Sequence, residues 1–264
     1  MNVLILGKGY VGNHLEKYLS EQWLPDNNIF FKSKKDLDYT NPEVLYNFCL
    51  SEDIDTVVNT SGYTGAPNVD GCEDNKDDCF YYNVNVPVVI EGICKSLDIN
   101  FIHIGSGCIY GEYDKEYTED DTPNFGVFEK HSSFYSKTKH ISELILDTNF
   151  TNIIRIRMPI ESKLTKKNLL TKLINYPNLI DFVNSKTDMV VLCEVTDILK
   201  EYGIKNDDWK FVPYDELKIK CNRSNCVLSN QKAKDDFDFD FGAEEYYLRL
   251  NASIIGKESG WEKK

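Results

Sequence analysis

The sequence has little basic charge and no long apolar run, and each of these absences excludes a class of protein. Acidic side chains outnumber basic ones by 43 to 30, so the formal net charge is −13. A chain this acidic is not expected to bind nucleic acid or an anionic membrane surface. No apolar stretch approaches the roughly 20 residues that a membrane-spanning helix needs. Any anionic small ligand must therefore be bound by local lysines and arginines.

Zinc-type cysteine spacing is also missing. None of the eight cysteines stands in a C-x2-C pair, and the four histidines are scattered, so we predict no metal site. Because the printed sequence opens directly on an apolar, strand-like run, we expect no leader peptide, a cytoplasmic location and reduced thiols. Most of the cysteines are expected to be small buried apolar residues, with Cys108 as the exception.

The first residues predict a dinucleotide-binding turn. Residues 1–6 (MNVLIL) suit a buried parallel strand, and residues 13–22 form a helical pattern with Leu15 and Leu19 on one face. Between them, G-x-G-x-x-G permits the tight turn and the close backbone approach that place a pyrophosphate at a helix N-terminus. A glycine-rich turn without a ligand is the alternative. The predicted cofactor-binding residues of the turn are Gly7, Lys8, Gly9, Tyr10, Val11 and Gly12.

Strands and helices alternate through the first 160 residues, which predicts an α/β fold with a Rossmann-type, doubly wound parallel sheet. The further predicted strands are residues 28–32, 55–59, 100–104 and 152–156, and the further helices are residues 42–50, 84–97 and 132–146. Ligands of such sheets bind beyond the carboxyl ends of the strands. We therefore expect one crevice to be lined by Gly7, Ser61, Ser106 and Arg157.

The alternation stops after Met158, and the 264 residues suffice for one large domain with a small lobe. We predict a dinucleotide-binding domain over residues 1–160, a small substrate lobe over residues 161–250, and a polar, flexible tail over residues 251–264. Within the lobe, residues 168–176 and 195–202 are helical candidates, residues 189–192 are a strand candidate, and residues 237–250 are mixed and aromatic.

Tyr135 and Lys139 form a candidate catalytic pair. Four residues apart on a predicted helix, they lie on the same face. An ammonium beside a phenol favours the phenolate, so we expect Lys139 to lower the Tyr135 pKa and let the phenol exchange a proton near neutral pH. Ser106, at the end of the preceding strand, can hold a substrate carbonyl against the phenol. The spacing alone is weak evidence, and it gains force from the glycine-rich turn.

The residues after the second strand bear on the cofactor's form. An acid there binds the ribose hydroxyls of NAD, whereas basic residues accommodate the 2′-phosphate of NADP. The sequence reads Phe31-Lys-Ser-Lys-Lys35, and its first acid is Asp36. We therefore predict NADP(H), with Lys34 as a contact and NAD(H) as the alternative. A solvated run of lysines would explain the pattern equally simply.

The glycine-rich turn together with Ser106, Tyr135 and Lys139 resembles the extended branch of the short-chain dehydrogenase/reductase superfamily. Several stretches resemble, more narrowly, the bifunctional nucleotide-rhamnose synthases. These are UDP-4-keto-6-deoxyglucose 3,5-epimerase/4-reductases, relatives of dTDP-4-dehydrorhamnose reductase. The matching stretches are residues 63–70 (YTGAPNVD) with the following CE at 72–73, residues 105–109, 121–125, 134–139 and 155–160, and shorter pieces at 170–173, 184–187 and 223–225.

The resemblance implies roles for individual residues. Ser106, Tyr135 and Lys139 fall on the reductase triad, in which the tyrosine protonates the C4 oxygen and the lysine holds the nicotinamide ribose. Cys108 and Lys172 fall on the pair that carries epimerisation. The positions implied for substrate binding are Asn68, Ser106, Arg157, Asn184 and Arg223. The implied activity is NADPH-dependent reduction at C4, coupled to 3,5-epimerisation, of a nucleotide-linked 4-keto-6-deoxy sugar to an L-rhamnose-type product.

Ketone chemistry agrees with this division of labour. The protons at C3 and C5 of a 4-keto sugar are acidic, and inverting those centres needs a base, an acid and stabilisation of an enolate oxygen. Cys108 lies two residues beyond Ser106 and can reach the same ring, and a neighbouring ammonium would favour its thiolate. The alternatives are an inert buried thiol for Cys108 and a surface lysine for Lys172.

Two departures from the family pattern keep other functions open. The glycine-rich turn is one residue shorter, and a helix and a strand are missing between residues 192 and 202. A reductase without epimerase activity is one alternative, and a non-catalytic NADP-binding regulatory subunit is another. The sequence also leaves open UDP against dTDP, a 2-acetamido group on the sugar, and assembly as a homodimer.

Overall fold

A computed structural model describes residues 1–22, 28–112, 115–160, 165–169, 171–172, 178–180, 187–188, 210–212, 221, 224 and 226–229. The chain divides into two compact units. The first comprises Met1–Glu112, Thr122–Ile156 and Ile219–Asn225, and the second comprises Tyr113–Asp121, Arg157–Lys218 and Cys226–Lys264. None of the described helices is long and apolar enough to cross a membrane.

The strands, numbered along the chain, are β1 (Asn2–Leu6), β2 (Asn28–Lys32), β3 (Thr56–Asn59), β4 (Asn100–Ser106), β5 (Glu116–Tyr117), β6 (Thr151–Ile156), β7 (Pro159–Ile160), β8 (Asn178–Ile180), β9 (Thr187–Asp188), β10 (Lys210–Val212) and β11 (Val227–Leu228). The α-helices are α1 (Tyr10–Gln22), α2 (Pro42–Ser51), α3 (Gly71–Asp74), α4 (Lys76–Phe80), α5 (Val86–Leu97) and α6 (Phe134–Ile145).

The first unit is built on a five-stranded sheet with the order β2-β1-β3-β4-β6, in which every pairing is parallel. The chain moves outward from β1 to β2 and then crosses to β3 on the other side of β1. The switch point of the sheet therefore lies between β1 and β3, where doubly wound sheets bind their ligands. The prediction of a Rossmann-type parallel sheet is confirmed.

Strand β1 is buried on both faces, as expected for a central parallel strand. Val3 and Ile5 pack with Leu15 and Leu19 of α1. Leu4 and Leu6 belong to the larger core on the opposite face, which α2 and α5 supply with buried side chains. Because successive side chains of β1 point to opposite faces, α1 covers one face and α2 and α5 cover the other. Packing on both faces holds the carboxyl end of β1 in place.

The segment between β3 and α5 is more helical than the sequence predicts. Helices α3 and α4 and a π-helical turn, Tyr81–Asn85, precede α5. Each is five residues or fewer, too short for a 3.6-residue apolar period to be recognised. The π-helical turn contains polar residues and directly precedes α5. Such turns are frequent at functional sites.

The second unit contains the parallel pairs β5–β11, β7–β9 and β8–β10. Residues 113–121 belong to this unit, which the predicted boundary at residue 160 did not include. Of the helical candidate at residues 168–176, the structure describes residues 168–169 and 171–172, and the Lys172 amide donates to the Asn168 carbonyl at 3.2 Å. The elements expected at residues 189–192, 195–202 and 237–250, and the tail, lie outside the described residues.

Candidate active site

The glycine-rich turn is shaped by close approaches that only glycine permits. Gly7 has φ +103°, and a Cβ built there would lie 2.8 Å from the Ser61 backbone nitrogen. A Cβ on Gly12 would overlap the carbonyl oxygen of Gly7. A Cβ on Gly9 would meet nothing within 4 Å, so the turn is open above this residue. Open space over backbone at the start of α1 suits a pyrophosphate, and the residues present fit a dinucleotide.

The end of β3 is fastened to this turn. The Thr60 hydroxyl donates to the carbonyl oxygens of Leu6 and Gly7, each at 2.9 Å. The Ser61 amide and hydroxyl donate to Asn59 Oδ1 at 3.0 and 2.6 Å. These bonds hold Ser61 against the turn, so Gly7 and Ser61 lie together as the sequence predicts.

Two lysines predicted to bind the cofactor, Lys34 and Lys8, have different partners in the structure. Lys34 donates to the Tyr82 hydroxyl at 2.9 Å, and this hydrogen bond raises the Lys34 pKa. Lys8, from the glycine-rich turn, lies 2.8 Å from the Asp36 carboxylate. That carboxylate also accepts from the Ser33 amide and hydroxyl at 2.9 and 2.8 Å. The Lys8 bond is the largest of the contributions that lower the Asp36 pKa.

Ser106, Tyr135 and Lys139 meet at the carboxyl end of β4. Ser106 is the last residue of β4, and its hydroxyl accepts from the Cys108 amide at 3.2 Å. Tyr135 is in the first turn of α6, and the Ser106 side chain is among the groups that act on its pKa, which it lowers. One turn later, the Lys139 ammonium donates to the Ile104 carbonyl at 3.4 Å. All three side chains are buried.

Burial sets the charge states of this pair. It raises the Tyr135 pKa, and the neighbouring Cys108 raises it further. The net shift of the Tyr135 pKa is therefore upward, opposite to the lowering expected from Lys139, because burial penalises the phenolate. Burial lowers the Lys139 pKa to about 8. At neutral pH the tyrosine is therefore a protonated phenol and most of the lysine is charged.

Asn83, which the sequence reasoning missed, ties the loop after β3 to α6. Its Oδ1 accepts from the Tyr63 amide at 2.8 Å, and its Nδ2 donates to the Tyr63 carbonyl at 2.9 Å and to Thr138 Oγ1 at 3.1 Å. Thr138 lies between the two catalytic candidates on α6. An asparagine directly before an apolar helical pattern was the available signal, but its partners are 20 and 55 residues away.

A second link runs from α3 to the start of α6. Glu73 Oε1 accepts from the Phe134 amide at 2.7 Å, at a helix N-terminus where a carboxylate is favourable. Asn68, a predicted substrate contact in the preceding loop, accepts from the Asp70 amide at 2.8 Å. The 63–73 segment thus positions Tyr135 through its neighbour Phe134.

Cys108 packs in one cluster with Cys72, Cys79 and Tyr135. Its thiol is half-buried. Four other predicted site residues are not among those that the structure places in this cluster. Arg157, which is buried, and Lys172, whose pKa is lowered by burial, belong to the second unit. Asn184 and Arg223 lie outside the described residues.

A parallel sheet with a glycine-rich turn at its switch point and a buried Ser–Tyr–Lys cluster beside it defines a Rossmann-type dinucleotide-binding protein. Residues 1–180 match the family described as the RmlD substrate binding domain, and the chain belongs to this family. The resemblance seen in the sequence motifs is thereby confirmed.

Curated relatives agree with this assignment. Over 222 residues the chain is 33% identical to a bifunctional dTDP-4-dehydrorhamnose 3,5-epimerase/dTDP-4-dehydrorhamnose reductase of Arabidopsis thaliana, covering 78% of this chain and 67% of the relative. It is 37% identical over 161 residues to a trifunctional UDP-glucose 4,6-dehydratase/3,5-epimerase/UDP-4-keto-L-rhamnose reductase of the same plant, covering 57% of this chain. The match spans only 23% of that longer relative.

Solved structures share the fold at low identity. The UDP-rhamnose synthase of Acanthamoeba polyphaga mimivirus superposes with a TM-score of 0.76 at 20% identity, covering 97% of this chain and 99% of the other. A dTDP-4-dehydrorhamnose reductase of Clostridium acetobutylicum gives a TM-score of 0.72 at 22% identity, with 95% and 100% coverage.

Proposed function

We propose that the protein reduces the C4 ketone of a nucleotide-linked 4-keto-6-deoxy sugar with NADPH, after inverting C3 and C5, to give an L-rhamnose-type nucleotide sugar. The observation that carries this proposal is the buried cluster of Ser106, Tyr135 and Lys139 at the sheet edge beside the glycine-rich turn. The reductase activity named for relatives of this family needs a carbonyl-orienting hydroxyl, a proton donor and a cation in such a place.

NADP(H) fits the residues of the first unit. A dTDP-4-dehydrorhamnose reductase of Bacillus anthracis with the same fold was solved in complex with NADP, with a TM-score of 0.67 at 16% identity and 89% and 92% coverage. In this chain, the open backbone at Gly9 would hold the pyrophosphate. We assign the 2′-phosphate to Lys34 and Lys8, whose partners in this structure are Tyr82 and Asp36. When bound, NADPH would supply the hydride.

Reduction requires one proton from the protein. The Ser106 hydroxyl and the Tyr135 phenol orient the C4 carbonyl, and Tyr135 gives its proton to the oxygen as C4 becomes a carbinol. Burial keeps the phenol protonated until this step. The Lys139 ammonium stabilises the phenolate that remains, which is why the lysine must be charged.

Epimerisation uses the same carbonyl. Removing the proton at C3 or C5 moves the electron pair onto the ketone oxygen, where Ser106 and Tyr135 stabilise the enolate. We assign Cys108 as the group that exchanges protons on one face, because its thiol packs beside Tyr135. We assign Lys172 as the second group of the epimerising pair, and burial lowers its pKa.

The sugar nucleotide itself needs cationic and amide partners in an acidic protein. We assign this role to Asn68, Arg157, Asn184 and Arg223. A diphosphate carries its charge into the site, and arginine can bind it in a bidentate manner.

An NADPH-oxidation assay across UDP- and dTDP-4-keto-6-deoxyglucose and the 2-acetamido analogue, with product stereochemistry read by NMR, tests the proposal. We expect oxidation with at least one of them and a product inverted at C3 and C5. A product without inversion would identify a reductase only, and no oxidation with any of them would favour a regulatory subunit.

Tyr135→Phe should slow oxidation by about 10²-fold or more.

The epimerase assignment is tested by solvent deuterium. Cys108→Ala should abolish or sharply slow the entry of deuterium at one of the two carbons while leaving reduction of an already epimerised substrate within a few-fold. If deuterium enters C3 and C5 as fast as in the unaltered protein, Cys108 does not exchange protons.

A further inference from the structure

Glu143 is a buried carboxylate on the same helix as the catalytic pair. It follows Lys139 by four residues, so the two side chains share a face of α6. Its side chain is 8% exposed. A Cβ built on Gly105 would lie 3.0 Å from Glu143 Oε1. The missing side chain at Gly105 therefore lets the carboxylate lie against β4, directly beside the strand end that carries Ser106.

Arg155 holds this carboxylate in place. Its Nε and Nη2 donate to Glu143 Oε2 at 3.0 and 2.8 Å. Its Nη1 donates to the Tyr110 hydroxyl at 3.0 Å, and the guanidinium lies over the Tyr110 ring. Arg155 is on β6, in register with Gly105 of β4. A helix, two strands and a loop after β4 thus fix the position of one negative charge.

We propose that Glu143, held by Arg155, is a positioning residue that keeps the buried Lys139 ammonium charged and in place against β4. The inference rests on the role of Lys139 in the proposed function. Lys139 donates to the carbonyl of Ile104, the residue before Gly105, so the ammonium and the carboxylate lie on adjacent residues of the same strand. Arg155, being a cation, limits the effect of Glu143.

The other groups around Lys139 do not replace this carboxylate. Cys79 from α4 and Cys108 after β4 favour its charge less than Glu143 does. His103 of β4 is kept neutral by burial and by Lys139 itself. The Lys139 pKa is about 8. If that pKa fell to about 7, the charged fraction of Lys139 at pH 7.5 would fall from about three quarters to about one quarter.

Two substitutions with opposite expected signs test the proposal. Glu143→Gln should lower the Lys139 pKa by about one unit, because the carboxylate that favours the charged ammonium is lost. Arg155→Gln should raise it, because the carboxylate is no longer offset. The measurement is an NMR titration of the Lys139 ε-carbon in protein with ¹³C-labelled lysine, assigned with Lys139→Arg.

Glu91→Gln is the matched control. Glu91 is also a buried carboxylate, held by Thr151, the Asp147 amide and Lys95, and its loss should leave the Lys139 pKa within about 0.2 unit. The proposal is overturned if the Lys139 pKa shifts in the same direction in both test variants, or if it does not shift in Glu143→Gln. It is also overturned if the control shifts the pKa as much as Glu143→Gln does. If Glu143→Gln does not fold, the sign in Arg155→Gln decides. A raised pKa supports the proposal, and an unchanged or lowered one refutes it.

The titration needs no sugar, so its result is separate from the substrate assay. In active protein, Glu143→Gln should also move the alkaline limb of the pH profile of turnover to lower pH. If the pKa shifts are as expected but none of the nucleotide sugars supports NADPH oxidation, the proposed function is overturned and the inference about Glu143 stands.

Discussion

At the scale of single residues, Lys139 illustrates how function and stability oppose each other. Its ammonium is buried, and burial lowers its pKa from the ordinary 10.5 to about 8. A folded-state pKa below the unfolded one means that folding disfavours the charged form. The cost is fully present below about pH 8 and disappears as pH rises toward 10.5.

We predict that Lys139→Met is more stable than the unaltered protein at pH 7, by about 1 to 3 kcal/mol. The advantage should shrink as pH approaches 10, and it is measured by urea unfolding at several pH values. The same variant should lose most of its turnover. A variant less stable at pH 7 would show that the buried ammonium is stabilising, contrary to its lowered pKa.

At the scale of elements, the glycine-rich turn separates folding from binding. Gly12 is needed by the protein itself, because a Cβ there overlaps the Gly7 carbonyl oxygen where α1 begins. Gly9 has open space around the position of a Cβ. In the proposed function this is the space that a pyrophosphate would occupy, so only the ligand restricts residue 9.

The two glycines should therefore respond differently to alanine. Gly12→Ala should lower Tm and abolish NADPH binding, because the turn must rearrange. Gly9→Ala should keep Tm within about 2 °C and still weaken NADPH binding by about tenfold or more, since its methyl group enters the ligand's space. Tm is measured by calorimetry and affinity by nucleotide fluorescence. Unchanged binding in Gly9→Ala would refute the placement of the cofactor.

At the scale of the whole molecule, the thiols show how the core protects reactive groups. The seven cysteines that the structure describes carry thiols and form no disulfide with one another. Five are buried, and burial raises the pKa of Cys49 to about 11. Only Cys108, in the candidate site, and Cys221 are partly exposed within the described part of the chain.

Thiol labelling of the native protein tests this distribution. Among the described cysteines, iodoacetamide should modify Cys108 and Cys221 first, and the others should react only at the rate of unfolding. Peptide mass spectrometry gives the order of reaction. Rapid native labelling of Cys72 or Cys79 would contradict the buried cluster beside Tyr135, and saturating NADPH with substrate should slow the labelling of Cys108.

Features that depend on local spacing could be predicted from the sequence. The strand-turn-helix at Gly7, the βα alternation and the four-residue spacing of Tyr135 and Lys139 follow from backbone geometry and periodicity, which are properties of neighbouring residues. The extent to which each group is desolvated, and the contacts between distant residues, could be read only from the folded molecule. Folding reversed the expected shift of the Tyr135 pKa, joined Asn83 to Tyr63 and set Arg155 beside Glu143, because burial and long-range contacts arise only when the sheet and helices pack.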